Sequence, residues 1–176
     1  MNFVNSYFLL NGNHGIENYP VLRLKDEDSE IDFKIENYEG YGTFKWKKSY
    51  SLYYENYFDF LIKNSELLIC FTSTISHVLK FTEVLKKITN VELNLLKINI
   101  PTDKCELNQT DSFQILSLEE NIPISIRYVI KVPTQEWPCV INYYKNGLTK
   151  FSVTNNKEVI ESVINLNLKL NKFTGV

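Results

Sequence analysis

Alternation of apolar and polar residues recurs along much of the chain and predicts β-strands. Apolar side chains alternate with charged ones over residues 31–36 and 44–47, and again over 122–132. Such alternation is typical of a strand with one buried and one solvated face. We therefore expect an α+β protein that is mostly antiparallel β-sheet, with about eight to ten strands and two or three packed helices.

Three stretches have helical spacing instead and predict helices at approximately 51–63, 74–89 and 156–171. In the second, Thr74 is placed to cap the helix and Asn90 to end it. In the third, the spacing from Asn155 to Glu158 resembles a capping box and Gly175 would end the helix. Alternating leucines also leave a strand open for this last stretch. The series behind each helix are Tyr50, Tyr53, Tyr54, Tyr57, Phe58 and Leu61; Ile75, Val78, Leu79, Thr82, Leu85 and Ile88; and Val159, Val163, Leu166, Leu170 and Phe173.

Two connections follow from these elements. The dipeptide Asn146-Gly147 lies between two apolar runs and predicts a hairpin with a two-residue type I′ turn. That turn would place Tyr144 opposite Thr149. The helix at 74–89 lies between apolar stretches at 66–72 and 91–100, so a right-handed parallel crossover is possible. The longest predicted loops are 11–20 and 101–111.

The composition narrows the class of protein. A chain of 176 residues with a net charge of −2 suits one globular domain. Its apolar runs are far shorter than the roughly 20 residues that cross a bilayer, and its N-terminus lacks the features of a signal peptide, so we expect a cytoplasmic protein without a membrane partner. The cysteines, Cys70, Cys105 and Cys139, are scattered and odd in number. We expect reduced thiols, mostly buried, rather than a disulfide framework or a zinc site.

Catalytic chemistry has little support in the sequence. Of the two histidines, His77 falls in the predicted helix, whereas His14 lies in the glycine-containing loop NGNHGIENYP. A histidine in a loop can be a general base, but no nucleophile, paired carboxylate or phosphate-binding motif accompanies it. We expect no catalytic residues, no cofactor and no metal, and keep a small enzyme centred on His14 as one alternative.

Residues 38–60, YEGYGTFKWKKSYSLYYENYFDF, suggest a second alternative. Trp46 or Tyr41 could stack on the bases of single-stranded nucleic acid while Lys45, Lys47 and Lys48 contact phosphates. The lysines of this segment are balanced by three carboxylates, at Glu39, Glu55 and Asp59, and the chain as a whole is slightly acidic. The charge count therefore argues against nucleic acid.

The charge is most uneven between residues 26 and 39, a segment that contains seven acidic residues and a single lysine, Lys34. On the predicted strand the acids point away from the apolar side chains and form an exposed row. An ordinary solvated face with a turn at 26–29 is the simpler explanation of the acids. Adjacent tyrosines favour a protein interface, because charge steers association and aromatic side chains anchor it. The predicted partner-binding residues are Asp26, Asp28, Glu30, Asp32, Glu36, Glu39, Tyr38, Tyr41, Tyr53, Tyr54 and Tyr57.

These features together resemble bacterial toxin-immunity proteins of the contact-dependent growth inhibition type. The resemblance is one of general character: a small α+β domain, no catalytic set, and an acidic, aromatic-rich face. It implies a non-enzymatic monomer that forms a 1:1 complex with a cognate toxin domain. It further implies a nuclease toxin, whose basic active site the acidic face would cover.

Overall fold

The computed structural model describes residues 4–96, 113–121, 125–152 and 156–173. Over these residues, eleven strands with antiparallel pairing and two α-helices confirm the α+β class. The chain divides into two compact units, Met1–Leu96 and Lys97–Val176. The single folding domain expected from chain length stays a prediction. Cys105 and the predicted loop at 101–111 lie outside the described residues.

The first unit is an antiparallel sheet with one helix, α1 (Ile75–Thr89). Its strands are β1 (Ser6–Asn11), β2 (Val21–Asp26), β3 (Ile31–Tyr38), β4 (Tyr41–Lys48), β5 (Asn56–Asn64), β6 (Leu67–Phe71) and β7 (Asn94–Leu95). They are arranged in the order β2-β3-β4-β5-β6-β1, and β7 also pairs with β1. A short 3₁₀ turn at Ile16–Asn18 lies in the predicted loop between β1 and β2.

An aromatic cluster joins α1 to the sheet. The ring of Phe81 lies 5.1 Å from Phe44, 5.7 Å from Phe58 and 5.2 Å from Phe60, measured between centroids. All four phenylalanines are buried. We call the side of β2–β5 that carries these rings the inner face and the opposite side the outer face. Because side chains alternate along a strand, this cluster decides which residues of β2–β5 point away from the helix.

The ends of α1 follow the prediction, and its buried stripe follows it in part, since Val78 and Leu85 are buried. Asn90 has φ 59° and its N–H donates to the carbonyl of Lys86 at 2.9 Å, as in a left-handed helix stop. Thr74 is at the N-cap position, although its side chain forms no capping hydrogen bond. Ile75 and Leu79 are exposed. Phe81 and Val84 are buried in their place, because the aromatic side chains of β4 and β5 pack against that part of the helix.

The predicted helix at 51–63 is wrong, because β5 occupies residues 56–64. Phe58 and Phe60 point to the inner face, while Tyr57 and Asp59 alternate with them. The strand pairs with β4 on one edge and β6 on the other, so its backbone groups are satisfied within the sheet. Tertiary pairing, together with the strand preference of Tyr and Phe, outweighs the helical spacing.

The connection through α1 is a crossover between parallel strands. Leu10 of β1 pairs antiparallel with Leu68 of β6 on one edge and with Leu95 of β7 on the other. β6 and β7 therefore run in the same direction with β1 between them. The right-handedness of this crossover stays a prediction. Of the apolar stretch at 91–100, residues 97–100 lie outside the described part of the chain.

The second unit contains four strands and α2 (Lys157–Phe173). The strands are β8 (Gln114–Asn121), β9 (Ser125–Lys131), β10 (Cys139–Tyr144) and β11 (Thr149–Phe151), in the order β11-β10-β9-β8. Two buried hydrogen bonds fix α2 to this sheet. The Tyr143 hydroxyl donates to the carbonyl of Val163 at 2.9 Å, and the Asn167 amide donates to the Thr149 hydroxyl at 2.7 Å.

The helix predicted at 156–171 is confirmed, and the strand alternative for that stretch is wrong. The Asn156 side chain accepts the N–H of Glu158 at 2.9 Å, so the cap is one residue later than the predicted Asn155. Asn155 and Gly175 lie outside the described residues.

The Asn146-Gly147 hairpin is confirmed, but its turn and register differ by one residue from the prediction. Tyr143, rather than Tyr144, lies opposite Thr149. Gly147 has φ 96°, whereas Asn146 is not among the residues with positive φ, so the turn is not type I′. The observed register places buried Tyr143 and Thr149 on the same side, where both bond to α2.

Gly42 of β4 provides a test of packing on the inner face. A β-carbon there would lie 2.2 Å from the Phe60 ring and 2.7 Å from the Glu36 carbonyl oxygen. We expect Gly42→Ala to destabilise the protein by about 1–3 kcal/mol through overpacking. In chemical denaturation, Phe60→Leu should recover part of that loss in the double variant. Strictly additive effects of the two substitutions would contradict this steric explanation.

Candidate functional site

The predicted acidic row of β3 is not a free row of carboxylates. Asp32 and Glu36 do point to the outer face, as alternation requires, but Lys34 lies between them on the same face. The adjacent strand β4 adds Lys45 and Lys47 opposite Lys34 and Asp32. The acids of this strand therefore lie among cations.

Glu36 is the centre of this arrangement and is only 9% exposed. Its carboxylate lies 2.5 Å from the Lys34 ammonium and 3.1 Å from that of Lys45, and it accepts a hydrogen bond from the Tyr38 hydroxyl. Burial raises the pKa of Glu36, but the bonds from Lys34, Tyr38 and Lys45 together lower it to about 2. The bond to Glu36 is the main reason that the pKa of Tyr38 rises to about 12. Glu36 and Tyr38 therefore stabilise the sheet. The predicted exposure of Glu36 is wrong, and its role in binding a partner stays a prediction.

Asp32 is also occupied within the fold. It is half-buried and accepts a hydrogen bond from the Ser49 hydroxyl at 2.8 Å. Ser49 is the first residue after β4. The carboxylate of Asp32 therefore helps to hold the start of the β4–β5 connection rather than facing a partner.

The remaining predicted acids, with Tyr38 and Tyr41, fall at opposite ends of β3, whereas Tyr57 lies on β5 opposite Lys45. Glu39 follows the strand at one end, where the rings of Tyr38 and Tyr41 stack with centroids 5.2 Å apart. Asp26, Asp28 and Glu30 lie at the other end. A strand of eight residues is about 27 Å long, so the predicted set is not one surface.

The structure brings part of the set together at that second end. We call residues 26–30 the acidic turn and residues 49–55 the aromatic loop. The Ser49 N–H donates to the carbonyl of Glu30 at 2.8 Å, which joins the two segments directly. Lys25, Glu30 and Tyr50 line one surface pocket between them.

The aromatic loop exposes large apolar side chains to solvent. Tyr50 and Tyr53 are each 76% exposed, and Leu52 is 85% exposed. Tyr53 belongs to the predicted partner-binding residues, whereas Tyr50 and Leu52 do not. The serines that flank Tyr50, at 49 and 51, are the turn-forming signal that could have identified a loop here.

Lysines anchor this loop. The Lys47 ammonium donates to the carbonyl of Ser51 at 2.7 Å and lies 5.2 Å from the centre of the Tyr54 ring. The ammonium of Lys48 lies 6.0 Å from the ring of Tyr50. Tyr54 is thus engaged by Lys47 and half-buried, while Tyr53 and Leu52 point outward.

The acidic turn carries concentrated negative charge. Asp26 accepts the N–H of Asp28 at 3.2 Å, and a hydrogen bond from the Ser29 side chain is the main cause that lowers the pKa of Asp26. Glu30 closes the turn with φ 55°. Within the described part of the chain, no ion pair engages Asp26, Asp28 or Glu30.

His14 is inside the protein rather than in an open loop. It is fully buried, with Nε2 2.6 Å from the carbonyl oxygen of Asn64 and Nδ1 accepting the N–H of Ile16 at 3.1 Å. Glu17 approaches the same Nδ1 at 3.2 Å. Both ring nitrogens are engaged, so His14 joins two backbone segments and presents no accessible nitrogen to a substrate.

Trp46 lies on the opposite face of β4 from Lys45 and Lys47, although alternation leaves Lys48 on its own side. It lies on the inner face, 4.7 Å from the ring of His77 and 5.2 Å from that of Phe44. Lys45 and Lys47 point to the outer face. A site that combines Trp46 with Lys45 and Lys47 on one surface is therefore not formed, and nucleic-acid binding by Trp46 stays a prediction.

Cys70 and Cys139 are buried free thiols, and burial raises the pKa of both. Over residues 4–96 and the described parts of 113–173, no three His, Cys, Asp or Glu side chains are grouped as a metal site requires. No helix in those ranges is sufficiently long and apolar to cross a membrane.

Comparison of the chain with protein-family models, with curated proteins and with solved structures found no match.

Glu36 gives the site a specific dependence on pH. Its pKa in the folded protein, about 2, lies below the ordinary value of 4.5, so the stability it contributes is present above pH 4.5 and is lost as pH falls towards 2. We expect Glu36→Gln to cost about 1–3 kcal/mol at neutral pH. Urea denaturation should show that the difference in unfolding free energy between Glu36→Gln and the parent shrinks as the pH falls from 4.5 towards 2. A cost that is independent of pH would contradict the role of the carboxylate charge.

Proposed function

We propose that the protein is a non-enzymatic binding protein, an immunity protein that neutralises a cognate toxin domain through the acidic turn and the aromatic loop. The observation that carries this proposal is the exposure of Tyr50, Leu52 and Tyr53 directly beside the carboxylates of the acidic turn. The interface is thus displaced from the middle of β3 to one end of the sheet.

The aromatic loop has the chemistry of a protein contact. Three large side chains, each more than three-quarters exposed, occur within four residues, from Tyr50 to Tyr53. Clustered apolar exposure is unfavourable in water and is common where a partner covers it. Tyrosine also supplies contact area with only two rotatable side-chain bonds, so little entropy is lost on binding.

The anchoring of the loop adds to this argument. Lys47 donates a hydrogen bond to the backbone of the aromatic loop, at Ser51, and the N–H of Ser49 donates to the backbone of the acidic turn, at Glu30. A contact loop that is already ordered before binding loses less conformational freedom in the complex. The loop can therefore contribute affinity to the complex rather than only area.

The acidic turn indicates the kind of partner. Asp26, Glu27, Asp28 and Glu30 carry four carboxylates in five residues, with Lys25 adjacent. Such a turn attracts a basic surface and increases the association rate. A nuclease must hold phosphates, so its active site is basic, and the turn would occupy the position of those phosphates. This proposal includes a monomer in a 1:1 complex in the cytoplasm.

The first test uses the toxin domain encoded immediately upstream in the native genome. Co-expression should restore growth, and native mass spectrometry should give a 1:1 complex. Leu52→Ser should weaken binding at least tenfold, mainly by faster dissociation, because it removes a central apolar contact. The matched control is Leu79→Ser, another exposed leucine, on α1. An absent toxin gene, or equal loss for the two variants, would contradict the proposal.

The second test measures the role of charge. The double variant Asp28→Ser/Glu30→Ser should slow association with that toxin domain and flatten its dependence on salt, while dissociation changes little. The control, Glu39→Ser/Glu66→Ser, removes the same charge from two exposed turns elsewhere in the sheet. The association rates of the two double variants are compared by stopped-flow kinetics at several salt concentrations. Identical salt dependence in both variants would exclude the acidic turn as the steering element.

A further inference from the structure

A row of three cations that ends at a tyrosine crosses the outer face of the sheet. Arg23 of β2 pairs with Lys34 of β3, Lys34 with Lys45 of β4, and Lys45 with Tyr57 of β5. Neighbouring strands are about 4.8 Å apart, so the four side chains extend over about 14 Å. This row, the basic row, belongs to neither the acidic turn nor the aromatic loop.

The basic row is unfavourable unless anions compensate it, since like charges directly opposite one another destabilise a sheet. Glu36 compensates Lys34 and Lys45, at 2.5 and 3.1 Å. Arg23 is exposed, and no ion pair engages it among the residues that the structure describes. Lys25 is also exposed and points to the same face of β2.

The outer face as a whole carries an excess of positive charge. On β2–β5 it has five cations and three carboxylates, although the chain has a net charge of −2. The cations are Arg23, Lys25, Lys34, Lys45 and Lys47, and the carboxylates are Asp32, Glu36 and Asp59. The charge of the whole chain, which argued against nucleic acid, does not describe this face.

Aromatic rings accompany the cations. Tyr57 is 57% exposed and ends the basic row beside Lys45. The stacked rings of Tyr38 and Tyr41 lie further along the same face. Bases stack on exposed aromatic rings without regard to sequence, and cations alongside hold the phosphates. The rings of duplex bases are already stacked on one another, which leaves a single strand as the form that Tyr57 can bind.

We propose that the outer face of β2–β5 binds single-stranded nucleic acid. Its phosphates contact Arg23, Lys25, Lys34 and Lys45, and one base stacks on Tyr57. The proposal does not rest on the toxin interface, because it uses no residue of the acidic turn or the aromatic loop, although Lys25 also lines the pocket between them. An acidic polypeptide could meet the same cations, but it would have no need of the tyrosine ring. The ring therefore distinguishes the two classes of ligand.

The test is fluorescence anisotropy with labelled oligothymidylate and oligouridylate of about 20 nucleotides at low salt. We expect the logarithm of the association constant to fall linearly with the logarithm of the salt concentration. Three or four phosphate contacts predict a slope of about −2 to −3. Arg23→Gln/Lys25→Gln should reduce the magnitude of that slope by about 1.4, because each phosphate contact on a single strand contributes about 0.7. Lys86→Gln/Lys87→Gln on α1, which removes the same charge from exposed positions, should not.

Tyr57→Ser should weaken binding about tenfold and leave the slope unchanged. Each variant is compared with the parent by thermal denaturation, and both Arg23 and Lys25 are exposed on a strand that pairs only with β3 in the described residues. Absence of binding at low salt overturns the proposal. It is also overturned if polyglutamate of equal length competes fully and Tyr57→Ser has no effect, which is the result expected of a surface for acidic polypeptides.

Discussion

The packing of Phe81 against Phe44, Phe58 and Phe60 determines how the first unit presents its surface. These rings commit one side of β4 and β5 to the helix, and alternation then assigns the intervening side chains, such as Lys45, Tyr57 and Asp59, to the outer face. A slip of one residue in either strand would bring Lys45 or Asp59 under α1, at the cost of burying a charge. The polar outer face is thus a consequence of the aromatic inner one.

The same constraint separates charge within a nearly neutral chain. Register with β4 brings Lys45 within 3.1 Å of Glu36, so a carboxylate in the middle of β3 is neutralised inside the sheet. Asp28 and Glu30, beyond the last pair of the ladder, have no cross-strand neighbour. Negative charge therefore remains at the turn, while positive charge accumulates across the strands. Two surfaces of opposite charge therefore arise from one sheet.

Patterns within one element were readable from the sequence, whereas relations between elements were not. The strand at 31–36 and the stop at Asn90 depend on local alternation and local backbone preference, and both are present. The neutralisation of Glu36 depends on which residue of β4 lies beside it, and a single sequence does not state that register. The hairpin at Asn146-Gly147 shows the same limit, because its existence follows from the dipeptide and its register from packing against α2.

The failed helix at 51–63 is also where the candidate interface lies. Residues 50–61 satisfy helical spacing, and in a helix Tyr50, Tyr53 and Tyr57 would form one stripe that could be buried. The chain instead uses Phe58 and Phe60 for the core and holds Tyr50, Leu52 and Tyr53 outside it. Local pattern and tertiary structure conflict here, and such conflicts are expected at functional sites, where a segment serves a partner as well as the fold. The conflict is resolved by the pairing of β5 on both edges, which a helix could not replace without breaking the sheet in two.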